Sequence, residues 1–157
     1  MAWKLLGGLM LLGVGILAVR GLTVYEKRRL TVLEGWLDLI FYIRTQIDCY
    51  LTPIGEIFST VDRELLMACM GTGAERSPTQ LLRRSRLYLG RDACRLLDSF
   101  VREIGGCYRE EQVKRCDYYL AALQKYRQGL TEELPARLRA RAAVCICAVL
   151  GAVILLW

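Results

Sequence analysis

Residues 23–50, TVYEKRRLTVLEGWLDLIFYIRTQIDCY, decide the fold. Leu30, Leu33, Leu37, Ile40 and Ile47 fall at helical intervals, a rhythm that Leu51 continues, while Trp36, Phe41 and Ile43 widen the stripe. At 3.6 residues per turn this places one apolar face on a long amphipathic helix, which must bury that face against other helices. Thr52-Pro53 ends it and begins another. Proline suits a first helical turn, threonine suits a cap, and Glu56 suits the positive start of the next helix. Ile54, Ile57, Phe58, Val61 and Leu65 then give that second helix its buried face.

Downstream, residues 71–78, GTGAERSP, are the clearest loop, closed by the capping box Ser77-Pro78-Thr79-Gln80. A short helix with Leu81 and Leu82 follows and leads through Tyr88 to Gly90. Cys94, Leu97, Phe100, Val101 and Ile104 form a further stripe, which stops at Gly105-Gly106. The last helix starts near Glu110-Glu111. It carries Val113, Cys116, Leu120, Leu123, Leu130 and Leu134 at heptad-like spacing before Pro135, which is expected to kink or break it. No segment has the alternation of a strand, so the expected fold class is all-α, a bundle of about five helices.

The chain of 157 residues is 54% hydrophobic, above the roughly 45–50% of a soluble domain. The excess lies at the two ends, because residues 5–19 and 142–157 contain no charge. As helices the first run measures roughly 23 to 26 Å, short for a bilayer core of about 30 Å but within tolerance. A cleaved signal peptide is the competing explanation of that run. Bulky Ile16, three positions back from a cut after Ala18, argues against it. The expected organisation is an N-terminal transmembrane anchor at 1–22, a cytoplasmic helical bundle at 23–138 and a C-terminal transmembrane helix at 139–157. Arg20, Lys27, Arg28 and Arg29 follow the first span, and Arg127, Arg137, Arg139 and Arg141 precede the second, which puts the centre inside and both termini outside. Ala143, Cys147 and Gly151 recur every four residues, a small-residue side on which another membrane helix can approach.

Composition also limits the chemistry. With no histidine there is no Ser-His-Asp or Cys-His pair and no HExxH zinc site. Neither a GxxxxGK[ST] phosphate loop nor a GxGxxG turn occurs, so ATP or dinucleotide chemistry is not expected. Seven cysteines, an odd number without CxxC spacing and scattered among apolar positions, fit reduced buried thiols rather than a disulfide framework. Cys145 and Cys147 point roughly 200° apart on a helix and are unsuited to sharing an ion. No catalytic residue, metal or cofactor is expected. Arg83, Arg84, Arg86, Arg91 and Arg95 make a basic face without the aromatic pattern of a nucleic-acid surface, leaving solvent, anionic lipid or an acidic protein face.

Residues 47–57, IDCYLTPIGEI, and 100–105, FVREIG, followed by Glu111-Gln112, resemble the stage III sporulation protein AB family of endospore-forming bacteria along the whole chain. Ile104-Gly105 stands where the family prefers Leu-Gly, leaving Gly105 and Gln112 matched. The resemblance implies a helical module like that of the inner-membrane platform protein of type II secretion and type IV pilus machines. It would work in the channel complex between mother cell and forespore, beside a cytoplasmic motor-type ATPase, in the mother-cell membrane. The motif residues Thr52, Pro53, Glu56, Gly105 and Gln112 then form either a partner contact or a capped structural turn. The expected function is a non-catalytic scaffold whose partners are the membrane, that ATPase and other subunits of the complex, with neither nucleic acid nor a small-molecule substrate. The alternative is a membrane-bound regulator or sensor passing a signal across the bilayer through the Pro135 region.

Overall fold

In the computed structural model the chain is all-helical. The backbone is described for residues 2–156 apart from Ala74, Arg76 and Cys107, and side chains for residues 13–148 except at 18, 22 and those three positions, and for Gly151. The helices are α1 (Ala2–Tyr50), α2 (Ile54–Thr60), α3 (Arg63–Ala68), α4 (Pro78–Ser85), α5 (Arg91–Glu103) and α6 (Arg109–Leu156). No strand occurs among the described residues. The chain divides into two compact units, Arg28–Gly129 and Met1–Lys27 with Leu130–Trp157.

The first unit holds the hydrophobic core. Along α1, Leu33, Trp36, Leu37, Ile40, Ile43 and Ile47 are buried as their spacing requires, joined by Val32 and Leu39. Phe41 and Leu51 do not follow the stripe and are exposed, since Phe41 lies a hundred degrees or so round the helix from Ile40, past the edge of the covered face. Helix α3 crosses at Gly35, where a Cβ atom would stand 2.8 Å from the Ala68 carbonyl carbon. Beside this crossing the Trp36 indole N–H donates to Ser85 Oγ at 3.0 Å. That hydroxyl lies 2.5 Å from the Cys69 carbonyl oxygen and 2.9 Å from that of Leu81, so one buried serine links α1, α4 and the end of α3.

The expected second helix is two. Val61 and Asp62 are extended, and the Asp62 carboxylate accepts the Glu64 N–H at 3.1 Å, starting α3 afresh. A short acidic side chain that caps its own backbone competes with helix continuation. Thr52 does not cap α2 either. Pro53 occupies the cap position, with no side-chain bond, and the threonine hydroxyl faces Gln46 Oε1 at 3.4 Å. Ser77 does cap α4, accepting the Gln80 N–H at 3.4 Å. In α5, Ala93, Leu97 and Phe100 point innermost, and the Phe100 ring meets Tyr119 of α6 edge-on, centroids 5.5 Å apart. Burial raises the Tyr119 phenol to about 12.

Helix α6 continues through Pro135, so the chain is not broken there. Pro135 is exposed, so water can satisfy the carbonyl its ring leaves unpaired and the secondary structure persists. The cysteines are less uniformly buried than their apolar neighbours suggest: Cys69 and Cys116 are buried, Cys94 and Cys145 half-buried, Cys49 and Cys147 exposed, and none of these six is in a disulfide. Burial pushes the Cys69 thiol well up and the Cys116 thiol up to about 11, which keeps both protonated and unreactive. Cys107 lies outside the described residues.

In the second unit the Arg141 guanidinium pairs with the buried Glu26 carboxylate at 2.9 Å. Val19 and Thr23 line a pocket of about 230 Å³ with Leu138, Arg139, Arg141 and Ala142. Val14, Ile16, Leu17, Val144 and Ile146 are exposed. So are Ala143, Cys147 and Gly151, and among the described residues no atom beyond Gly151's own helix lies within 4 Å of a Cβ built there. Among the described residues no helix is long and apolar enough to cross a membrane. Much of the two expected spans, residues 5–19 and 142–157, falls on side chains outside that description.

Candidate functional site

Four of the five motif residues meet in one place. Thr52, Pro53, Gly105 and Gln112 line a cavity of about 380 Å³, together with Ile47, Leu51, Ile54, Gly55 and Arg109. The walls come from the end of α1, the start of α2, the turn after α5 and the first turn of α6. Glu56 does not line it. It stands exposed in the first turn of α2, where a carboxylate suits the helix start and its carbonyl accepts the Ser59 hydroxyl at 2.6 Å.

Two residues in the left-handed region shape this cavity. Leu51, at φ 55°, ends α1 and turns the chain so that the Thr52 N–H reaches back to the Gln46 carbonyl at 3.4 Å. A non-glycine residue holds that conformation at a cost of about 1–2 kcal/mol, and here Tyr50 and Leu51 are both exposed. Gly105, at φ 100°, closes the other side, and a Cβ atom on it would meet Ile54 Cδ1 at 3.3 Å.

An ion-pair chain fixes the turn to α6. Arg109 donates to both the Asp48 carbonyl and, at 3.0 Å, its carboxylate, so a guanidinium caps the carbonyl end of α1. The Asp48 carboxylate also lies 3.6 Å from Arg44, which pairs more closely with Asp117 at 2.6 Å. The Asp117 hydrogen bond and charge raise the Arg44 guanidinium further above its already high range. These exposed pairs set geometry more than stability. Arg109 escaped the sequence reading, although it left a signal: an arginine in a first helical turn opposes the helix dipole that Glu110 and Glu111 suit, so it calls for another partner.

The basic face is partly committed to the fold. Arg86 makes two bonds to Asp98, at 2.8 and 2.7 Å. Arg84 lies 3.4 Å from buried Glu75. Burial tends to raise the Glu75 pKa, but hydrogen bonds from the Thr72 N–H and hydroxyl and the Gly73 N–H outweigh it and bring it down. Arg95 stands 3.8 Å from Asp92, while exposed Arg83 and Arg91 have no ion pair among the described residues. Among the described residues no group of three or more cysteine, aspartate or glutamate side chains is arranged to hold a metal ion. Comparison with protein-family models, with curated proteins and with solved structures returns no match.

Proposed function

We propose that this chain is a non-catalytic membrane platform component of a sporulation secretion-like channel complex between mother cell and forespore, docking a cytoplasmic motor-type ATPase. In this reading residues 1–22 and 139–157 anchor it in the mother-cell membrane, and the helical bundle lies in the cytoplasm. The observation that carries the proposal is the convergence of Thr52, Pro53, Gly105 and Gln112 on one cavity, although Thr52 and Gln112 are 60 positions apart in sequence. Local capping does not account for that convergence, because Thr52 makes no cap.

The cavity has the composition of a docking groove: apolar walls from Ile47 and Ile54, polar groups from Thr52, Gln112 and Arg109, and the exposed Leu51. An arginine beside an apolar centre is a combination that protein interfaces use to bind. Exposed Val14, Ile16 and Leu17 in the first apolar run, and Val144 and Ile146 in the second, support the two anchors, since apolar side chains facing outward together belong in lipid. A scaffold of this kind acts by holding its partners, so its chemistry is complementarity rather than bond-breaking.

The test is affinity purification of the full-length chain from sporulating cells in mild detergent. The chain is expected to bring down the ATPase and other membrane subunits. Gln112→Lys, in the groove wall, is expected to release the ATPase while helicity and melting temperature hold. A chain that purifies alone refutes the platform role; a variant that keeps its ATPase refutes the groove.

A further inference from the structure

The turn between α4 and α5 carries the most exposed leucine of the bundle, Leu87, with 77% of its surface open. It is set among arginines. Arg83 stands one helical turn before it and Arg91, the first residue of α5, four positions after it, both exposed and without an ion pair among the described residues. Arg86, beside it, is held by Asp98.

The turn rests on the first residues of α1 within its unit and on Tyr126 of α6. The Arg28 guanidinium lies over the Tyr88 ring, 5.7 Å from its centroid. Gly90 is packed so closely against Arg29 and Tyr126 that a Cβ atom would stand 2.1 Å from the Arg29 guanidinium and 2.3 Å from the Tyr126 hydroxyl oxygen. Arg29 in turn donates to that hydroxyl at 2.5 Å. The contacts of Tyr88 and Gly90 therefore hold the turn that carries Leu87 against the start of α1 within this unit, with Arg28 nine positions after Val19.

We infer that the α4–α5 turn is a bilayer contact, with the Leu87 side chain entering the interfacial region of an anionic membrane and Arg83 and Arg91 meeting lipid phosphates. This rests on the anchored topology proposed above. An exposed apolar side chain flanked in sequence by exposed cations fits such a surface, because the leucine gains by leaving water while the arginines are drawn to negative headgroups within a Debye length. Arginine and tyrosine are also side chains that keep a polar tip in the headgroup layer. An acidic protein face shares the charge but would be expected to offer a pocket for the leucine.

The probe is the full-length chain carrying Leu87→Trp, reconstituted in nanodiscs of phosphatidylcholine with or without phosphatidylglycerol, with brominated acyl chains as quenchers. The emission of the parent chain, which has three tryptophans, is subtracted. The added emission is expected to be blue-shifted and quenched in anionic discs, and to lose both effects in zwitterionic discs or when Arg83→Glu and Arg91→Glu are added at unchanged melting temperature. Red, unquenched emission in anionic discs overturns the contact, and quenching that survives the reversals overturns the role of the arginines. Reversals that release a co-purifying protein while emission stays unquenched assign the turn to an acidic protein face instead. Carbonate-resistant flotation reports the anchors separately: flotation without quenching sinks this inference alone, and loss of flotation sinks the anchors and this inference with them.

Discussion

Gly105→Ala and Gly106→Ala make adjacent, chemically identical changes that the structure separates sharply. Gly105 sits at φ 100°, and an added methyl would meet Ile54 Cδ1 at 3.3 Å. At Gly106 nothing among the described residues lies within 4 Å of an added Cβ and φ is outside the positive range. A side chain held in so sparsely populated a conformation costs about 1–3 kcal/mol. The Ile54 contact adds a smaller amount, since a leaf of side chain at the cavity wall can yield by tenths of an ångström. For a domain of roughly 100 residues, where 1 kcal/mol moves Tm by about 4–8 °C, Gly105→Ala is expected to lower Tm by roughly 4–24 °C. Gly106→Ala is expected to leave Tm unchanged or slightly raised, because alanine restricts the unfolded chain. The assay is thermal unfolding by circular dichroism of residues 26–136, which contain the core and are expected to fold alone as a soluble helical domain. Adding Ile54→Val to Gly105→Ala should recover the steric part and leave the backbone part. Equal shifts at the two glycines, or full recovery with valine, would refute the backbone assignment, and a fragment rich in strand would refute the bundle.

Ser85→Ala strands the fully buried Trp36 N–H, and a buried donor without a partner costs about 1–3 kcal/mol; urea unfolding of Ser85→Ala, Trp36→Phe and the double variant should show strongly non-additive losses. Glu75 has a folded pKa below its unfolded value, so its contribution is present above the unfolded value of about 4.3 and disappears as pH falls through the folded one. The stability gap between parent and Glu75→Gln should accordingly be wide at pH 7 and close in acid, and a gap independent of pH counts against the Thr72–Gly73 cradle. Proteolysis of intact cells should spare the loop at residues 71–78 and lysis should expose it; cleavage from outside reverses the proposed orientation.

The helical class and most of the core were legible in the chain because apolar spacing on a helix is local information. Leu33, Trp36, Leu37, Ile40, Ile43 and Ile47 had one geometry open to them, and they took it. The Ser77 cap and the stop at Gly105 were readable for the same reason. What failed locally failed where two local rules competed: Asp62 capped a new helix inside an apolar rhythm that promised one, and exposed Pro135 did not break α6. The candidate site was legible only as residues. Thr52, Pro53, Gly105 and Gln112 could be singled out in sequence, but whether two turns more than 50 residues apart would face each other depends on how α1, α5 and α6 pack. Arg109 acquires its meaning from Asp48, Arg84 and Arg86 lose their freedom to Glu75 and Asp98, and Leu87 is left outside. Periodicity fixes which face of a helix is buried, whereas the partner each charge finds is decided by long-range packing.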